Sequence, residues 1–192
     1  MAIQARYEIL DNIYESKSST VYRTYSRTYG RNIIIKQLKP NPTPERVAWF
    51  KREYKIIKSI QITGVIKAYE LKYEKGQWTM ILEDFGGESL CRIQKYHRFT
   101  LEECLTLAIV ITTILGKIHQ NRIIHKNINP SNLILNPYSG EVKFIDFGIA
   151  TELPKENQSL QHPSKVEGTL AYISPEQSGR MNREIDYRTD LY

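Results

Sequence analysis

Cysteine is nearly missing from this chain: Cys91 and Cys104 are the only two in 192 residues. They make no disulfide framework, and with four histidines they offer no metal-ligand spacing. A reduced, cytoplasmic setting is therefore expected. Long apolar runs are missing too. The longest, Leu105 to Ile118, is broken by Thr106, Thr112, Thr113 and Lys117, which makes it too polar to span a bilayer and fits a buried core helix. The start, Met1-Ala2-Ile3-Gln4-Ala5-Arg6, lacks the apolar stretch of a signal peptide. There is no internal repeat and no low-complexity tract. A net charge of +6 would permit an acidic partner, but the basic residues are scattered. Lys51, Arg52, Lys55 and Lys58 are interleaved with apolar positions, as on a solvated helix face, without the clustered stripe and stacking aromatics of a nucleic-acid groove. Neither a membrane span nor a nucleic-acid partner is expected.

What is present is an ordinary globular balance, 41% hydrophobic and 25% charged, in a chain long enough for one domain or for two small lobes around a cleft. The first third is strand-like, with β-rich runs at Tyr7–Asn12, Thr20–Tyr25 and Asn32–Leu38. A helix is expected from Thr43 as N-cap, with Pro44 at the first helical position, to about Ile60. Strands follow at Ile66–Tyr73 and Trp78–Glu83, then Asp84-Phe85-Gly86-Gly87 as a flexible connector. Beyond it come a long helix from Leu101 to Gln120, loops and one hairpin. The expected division is a β-rich lobe over 1–83, a hinge over 84–87 and a mostly helical lobe over 88–192.

Two pairs of residues stand out by placement. Asn132–Leu135 and Val142–Ile145 flank Asn136-Pro137-Tyr138-Ser139-Gly140, a strong turn signal. In a hairpin centred on Ser139, Asn132 and Asp146 end side by side. They are either two polar strand-end residues or an oxygen pair suited to a hard cation such as Mg²⁺. Lys36 closes the run Ile33-Ile34-Ile35, and Phe50 and Ile57 put Glu53 on the apolar face of the Thr43 helix. A Lys–Glu pair there is either a structural ion pair or a device that holds a phosphate-binding lysine.

His125-Lys126-Asn127 with Asn132, Asp146-Phe147-Gly148, Lys36 with Glu53, and Gly168-Thr169 before Ser174-Pro175-Glu176 occur in the order of the protein kinase signature set, which the chain therefore resembles over nearly its whole length. Further runs, among them Gly64-Val65-Ile66-Lys67-Ala68-Tyr69, Glu83 to Leu90 and Pro175 to Arg183, are similar to the N-terminal serine/threonine kinase domain of large bacterial, notably cyanobacterial, signalling proteins. Those carry an ATPase module and a sensor histidine kinase downstream.

The resemblance implies an α+β, bilobal kinase fold, ATP and Mg²⁺ as cofactors, a protein serine/threonine substrate and downstream domains as partners. It implies that Lys36, held by Glu53, contacts the α/β-phosphates. Asn132 and Asp146 would ligate Mg²⁺, and Asn127 would stand at the substrate hydroxyl. Ile13, Ser16, Ser19, Val21 and Ile134 would line the nucleotide, and the backbone of Glu83 and Phe85 would face the adenine. Phe147 and His125 would pack in a spine, and Thr169 would contact the catalytic loop, as in serine/threonine kinases. Asp84-Phe85-Gly86 is a decoy for the metal motif, because it precedes the catalytic loop. Asp146 to Glu176 would be the activation loop, where Ser159 and Ser164 are either phosphosites or ordinary loop serines.

The chain departs from the pattern at four places. Asn127 stands where the family carries the aspartate that accepts the substrate's proton; asparagine keeps the shape and an acceptor oxygen but cannot take the proton. Asn129 replaces a lysine. The three glycine positions of the phosphate-covering loop fall on Tyr14, Ser16 and Ser19, and Ile34 narrows the adenine slot where alanine is usual. Last, Asp190-Leu191-Tyr192 falls where the family begins a central buried helix, so a truncated second lobe with apolar surface exposed on the Leu105–Ile118 helix is expected. Two functions are compatible with this pattern. One is a protein serine/threonine kinase; the other is a catalytically impaired pseudokinase serving as a nucleotide-binding regulatory or scaffold module.

Overall fold

The computed structural model describes residues 8–153, 168–179 and 184–192. They form two compact units of an α+β fold. The first holds the chain up to Ser59 together with Ile66–Gly86, and the second holds Ile60–Val65 and the chain from Gly87 onward. Ile60–Val65 thus leaves the lobe to which its sequence position assigns it. The cause is local pairing: Phe144 donates its N–H to the Gly64 carbonyl at 2.8 Å, and Val65 forms a parallel bridge with Phe144.

The first unit is an antiparallel sheet of β1 (Glu8–Glu15), β2 (Ser19–Ser26), β3 (Arg31–Leu38), β4 (Ala68–Glu74) and β5 (Gln77–Glu83), in the order β1-β2-β3-β5-β4. The alternation in β3 makes the core. Ile33 and Ile35 point inward and pack with Ile81, while Tyr29 and Tyr69 stack against that cluster with ring centroids 4.9 Å apart. Each fully buried isoleucine of this kind contributes about 1.5–3 kcal/mol. Helix α1 (Pro44–Ser59) starts as the sequence indicates: Thr43 Oγ1 accepts from the Arg46 N–H at 3.4 Å, and the cap precedes Pro44. It buries Phe50, Glu53, Ile56 and Ile57. Lys51, Arg52, Lys55 and Lys58 are all exposed, and Lys51 lies 4.5 Å above the Trp78 ring.

The second unit contains β6 (Glu88–Ser89), α2 (Leu90–Ile93), α3 (Leu101–Gln120), β7 (Ile123–Ile124), β8 (Leu133–Leu135), β9 (Val142–Phe144) and β10 (Thr151–Glu152). Short 3-10 turns follow at Leu170–Tyr172 and Tyr187–Leu191. Helix α3 opens on a capping box, in which Thr100 accepts from the Glu103 N–H and the Glu103 side chain from the Thr100 N–H. It is not a buried helix along its whole length. Ile114, Leu115 and Ile118 are buried, but Leu101, Leu105 and Ile109 are exposed. The packing partners explain this: Gly64 meets α3 at Ile114, so the close approach falls on its C-terminal half.

The β8–β9 hairpin forms one residue out of the expected register. Leu133 pairs with Phe144 and Leu135 with Val142, which sets Asn132 opposite Ile145 instead of Asp146. The turn residues decide the register: Asn136 Oδ1 caps the Tyr138 and Ser139 N–H groups, and Asn136 N–H donates to the Glu141 carbonyl.

Candidate active site

In the first unit, Lys36 and Glu53 meet as expected. Lys36 Nζ lies 2.7 and 2.8 Å from the two Glu53 carboxylate oxygens. The carboxylate is nearly inaccessible and the lysine side chain only 17% exposed, so each charge needs the other. Val21 sits opposite Lys36 in the β2–β3 ladder and opposite Tyr14 in the β1–β2 ladder. Ile13 is half-buried at a register irregularity of β1.

Between β1 and β2, Ser16 does the work of a missing glycine turn. Its Oγ accepts the N–H groups of Ser18 and Ser19 at 3.2 and 3.0 Å, and its own N–H donates to the Ser19 carbonyl at 2.8 Å. Those two N–H groups are satisfied inside the turn.

Glu83 closes a ring with Lys67. Glu83 N–H donates to the Lys67 carbonyl, and Lys67 N–H donates to Glu83 Oε1 at 2.7 Å. Phe85 is half-buried beside it. Asp84 is engaged inside its own unit: Arg23 Nε donates to its Oδ2 at 2.6 Å and Gly86 N–H to its Oδ1 at 3.0 Å.

In the second unit the loop after β7 is tied down at many points. His125 is fully buried; its Nε2 donates to the Ile145 carbonyl at 3.0 Å and its Nδ1 accepts the Asn127 N–H at 3.3 Å. Burial pushes its pKa down, against the opposing pull of Asp190 and Asp146. Its ring packs on Phe147, also fully buried, with centroids 4.6 Å apart. Asn127, Asn132 and Asp146 come together here. Asn132 Nδ2 donates to the Asn127 carbonyl at 2.8 Å, and Asn127 Nδ2 donates to Asp146 Oδ2 at 3.2 Å. Asp146 holds a left-handed backbone, φ 65°, so the chain leaves the hairpin and brings the carboxylate to Asn127 despite the shifted register. Ile134 lies in β8, half-buried, paired with Lys143.

Thr169 reaches the loop as the resemblance implies, donating to Asn127 Oδ1 at 3.1 Å and accepting from Asn129 Nδ2 at 3.3 Å. Ser159 and Ser164 lie outside the described residues.

One residue was not singled out from the sequence. Asp190 accepts the backbone N–H groups of His125 at 2.8 Å and Lys126 at 2.7 Å, and His119 Nε2 lies 2.9 Å away. Gln177 Nε2 adds a bond to the Lys126 carbonyl at 2.8 Å. No local motif announces Asp190, because both of its backbone donors are distant in sequence.

Asn132 and Asp146 suit a cation that brings other ligands with it. The Asn132 amide nitrogen is committed to the Asn127 carbonyl, which leaves its oxygen as the acceptor atom of that side chain. Among the described residues no group of three or more His, Cys, Asp or Glu could hold a metal. A protein-only metal cage is therefore not what these residues fit; Mg²⁺ held by one or two side chains plus phosphate oxygens is.

The family model for the protein kinase domain matches residues 7–192. A probable serine/threonine-protein kinase of Clostridium perfringens is 30% identical over 97% of this chain and 27% of its own length. The serine/threonine-protein kinase PrkC of Bacillus subtilis is 28% identical over 92% of the chain and 27% of its length. The tyrosine-protein kinase MasK of Myxococcus xanthus is 28% identical over 85% of the chain and 27% of its length. The chain thus spans about a quarter of the length of the curated relatives it matches. Taken with the Lys36–Glu53 pair and the loop built around Asn127, Asn132 and Asp146, these matches show that the chain belongs to the protein kinase superfamily.

Proposed function

We propose that this chain is a serine/threonine protein kinase domain that binds ATP with Mg²⁺ and transfers the γ-phosphate slowly, because Asn127 stands in the proton acceptor's place. The observation that carries the reading is the two-oxygen contact of Lys36 with Glu53, which fixes an ammonium group on β3 for phosphate binding. Ile13, Ser16, Ser19 and Val21 would cover the nucleotide, with the backbone of Glu83 and Phe85 at the adenine and Ile134 beneath it. Asn132 and Asp146 would hold the cation. Mg²⁺ supplies charge neutralisation of the phosphate oxygens when bound. Asn127 would orient a substrate hydroxyl through its carboxamide but cannot accept the proton. Thr169 favours serine or threonine as acceptor.

The bond from Asn127 Nδ2 to Asp146 favours a second reading, a nucleotide-binding module that signals by conformation to neighbouring domains. One comparison decides between them: γ-phosphate transfer to a generic serine/threonine substrate by the native chain and by Asn127→Asp. The substitution is expected to raise the rate about 10²–10⁴-fold, the range of a positioned general base. Equal measurable rates would remove Asn127 as the limit on turnover, and no transfer by either protein would favour the regulatory module. Separately, Lys36→Ala is expected to weaken Mg²⁺–ATP binding about tenfold or more, the scale of a charge-assisted hydrogen bond. Unchanged affinity would take Lys36 out of the site.

A further inference from the structure

The side of the first sheet that carries Lys36 also carries an ion pair that the proposed function leaves unused. Residues opposite each other in an antiparallel ladder share a face, and the next residue but one repeats it. Val21 lies opposite Lys36, Arg23 opposite Ile34, and Ile34 opposite Leu82. These five therefore share one side of the sheet, while Ile33, Ile35 and Ile81 form the core on the other. Arg23 stands two residues beyond Val21 on β2, about 6–7 Å along the strand from the lysine's level. It reaches past β3 to the connector after β5. Its Nε donates to Asp84 Oδ2 at 2.6 Å and its Nη2 to Oδ1 at 3.4 Å. The Asp84 side chain is only 6% exposed, so its charge calls for this partner. Asp84 Oδ1 also accepts the Gly86 N–H at 3.0 Å, which folds the backbone around Phe85. On the other flank, Glu83 is tied to Lys67 through both its N–H and its carboxylate.

From this we infer that Arg23 and Asp84 are positioning residues for the purine base: their ion pair fixes the connector backbone that reads the base edge, and so sets a preference for adenine over other purines. The inference rests on the proposed nucleotide site, with the backbone of Glu83 and Phe85 at the adenine. Both side chains act through that backbone. Hydrogen bonds from a backbone discriminate between bases only where the backbone is held close to the productive geometry. Without the guanidinium, the Asp84 carboxylate would turn out to water and release the Gly86 N–H, and the turn around Phe85 would loosen.

The test measures the affinity of the full chain for ATP and for inosine triphosphate by calorimetry, both with Mg²⁺, and takes the ratio. The two nucleotides share ribose and phosphates and differ only at the base edge, so the ratio isolates what the connector reads. The native chain should prefer ATP about tenfold or more, the scale of a hydrogen bond that the inosine base cannot make. Arg23→Ala, which removes the cation, and Asp84→Asn, which removes the charge, should each cut that preference to about threefold or less. The fall should come from weaker ATP binding, with inosine triphosphate affinity held within about twofold, a pattern that general loosening of the sheet would not select. Arg23→Lys keeps the charge without the fork and should lie between. Lys36→Ala, at the phosphate end, should weaken both nucleotides alike. If Asp84→Asn fails to fold, the two Arg23 variants decide. An unchanged preference in the Arg23→Ala and Asp84→Asn proteins, or an equal loss of both nucleotides, would overturn the positioning role and leave the nucleotide site intact. Equal binding of both nucleotides by the native chain would overturn the base-reading connector. No saturable binding of either would overturn the nucleotide site itself, and this inference with it.

Discussion

Asp190 shows how much of the loop's rigidity rests on one side chain. It receives two backbone N–H groups, of His125 and Lys126, and its residue is only 8% exposed. Asp190→Ala strands both donors, each costing about 1–3 kcal/mol. A loss of about 3 kcal/mol is therefore expected in urea unfolding, with Asp190→Asn intermediate because one amide oxygen cannot serve both donors. A loss below about 1 kcal/mol would show that the loop finds other acceptors. His125 gives a pH dependence whose sign is fixed by burial. Its folded pKa lies below the ordinary histidine value, so the unfolded chain binds a proton more readily. Its contribution is complete above about pH 6.5, is lost progressively as the pH falls below that, and levels off below the folded pKa. Unfolding free energy measured from pH 7.5 downward should fall, and His125→Gln should flatten the slope. An unchanged slope would assign it to other groups. The residues with contiguous motifs, Asn127, Asn132 and Asp146, were legible in the sequence. Asp190 and the Arg23–Asp84 pair were not, because their partners are distant in sequence and only the folded chain brings them together.

Helices and strands were read more easily than their registers. The β3 alternation and the Thr43 cap follow from side-chain period and turn chemistry, and the folded elements match them within a few residues. The hairpin register escaped by one residue because the side-chain bonds of Asn136 decide which residues form the turn, and a count from its middle cannot see them. Glycine placement is equally local in its consequences. A Cβ at Gly64, φ 98°, would lie 2.5–2.7 Å from three side-chain atoms of Ile114, whereas one at Gly30, φ 61°, would meet nothing within 4 Å. Gly64→Ala is expected to cost about 3 kcal/mol or more, combining backbone strain with overpacking; Gly30→Ala should cost about 1 kcal/mol from strain alone. Thermal or urea unfolding of the two proteins checks the difference, and equal costs would show that α3 moves aside freely.

The whole chain carries an apolar stripe on α3 that nothing among the described residues covers. Leu101, Leu105 and Ile109 are 76%, 57% and 67% exposed and recur every four residues, so they lie along one side. Leu105→Glu with Ile109→Glu is therefore expected to leave the melting temperature unchanged in thermal unfolding. A large drop in melting temperature would mean that the stripe is packed in solution. The two units are also discontinuous in sequence, because Ile60–Val65 belongs with residues that follow Gly87. On the ribosome, the first unit can complete its sheet once β5 has emerged, but Gly64 and Val65 must wait for Phe144 to be synthesised. The segment between α1 and β4 is therefore left as an open thread during translation. A nascent chain halted before Phe144 should be cut by protease between Ile60 and Val65, and a chain released after it should be protected there.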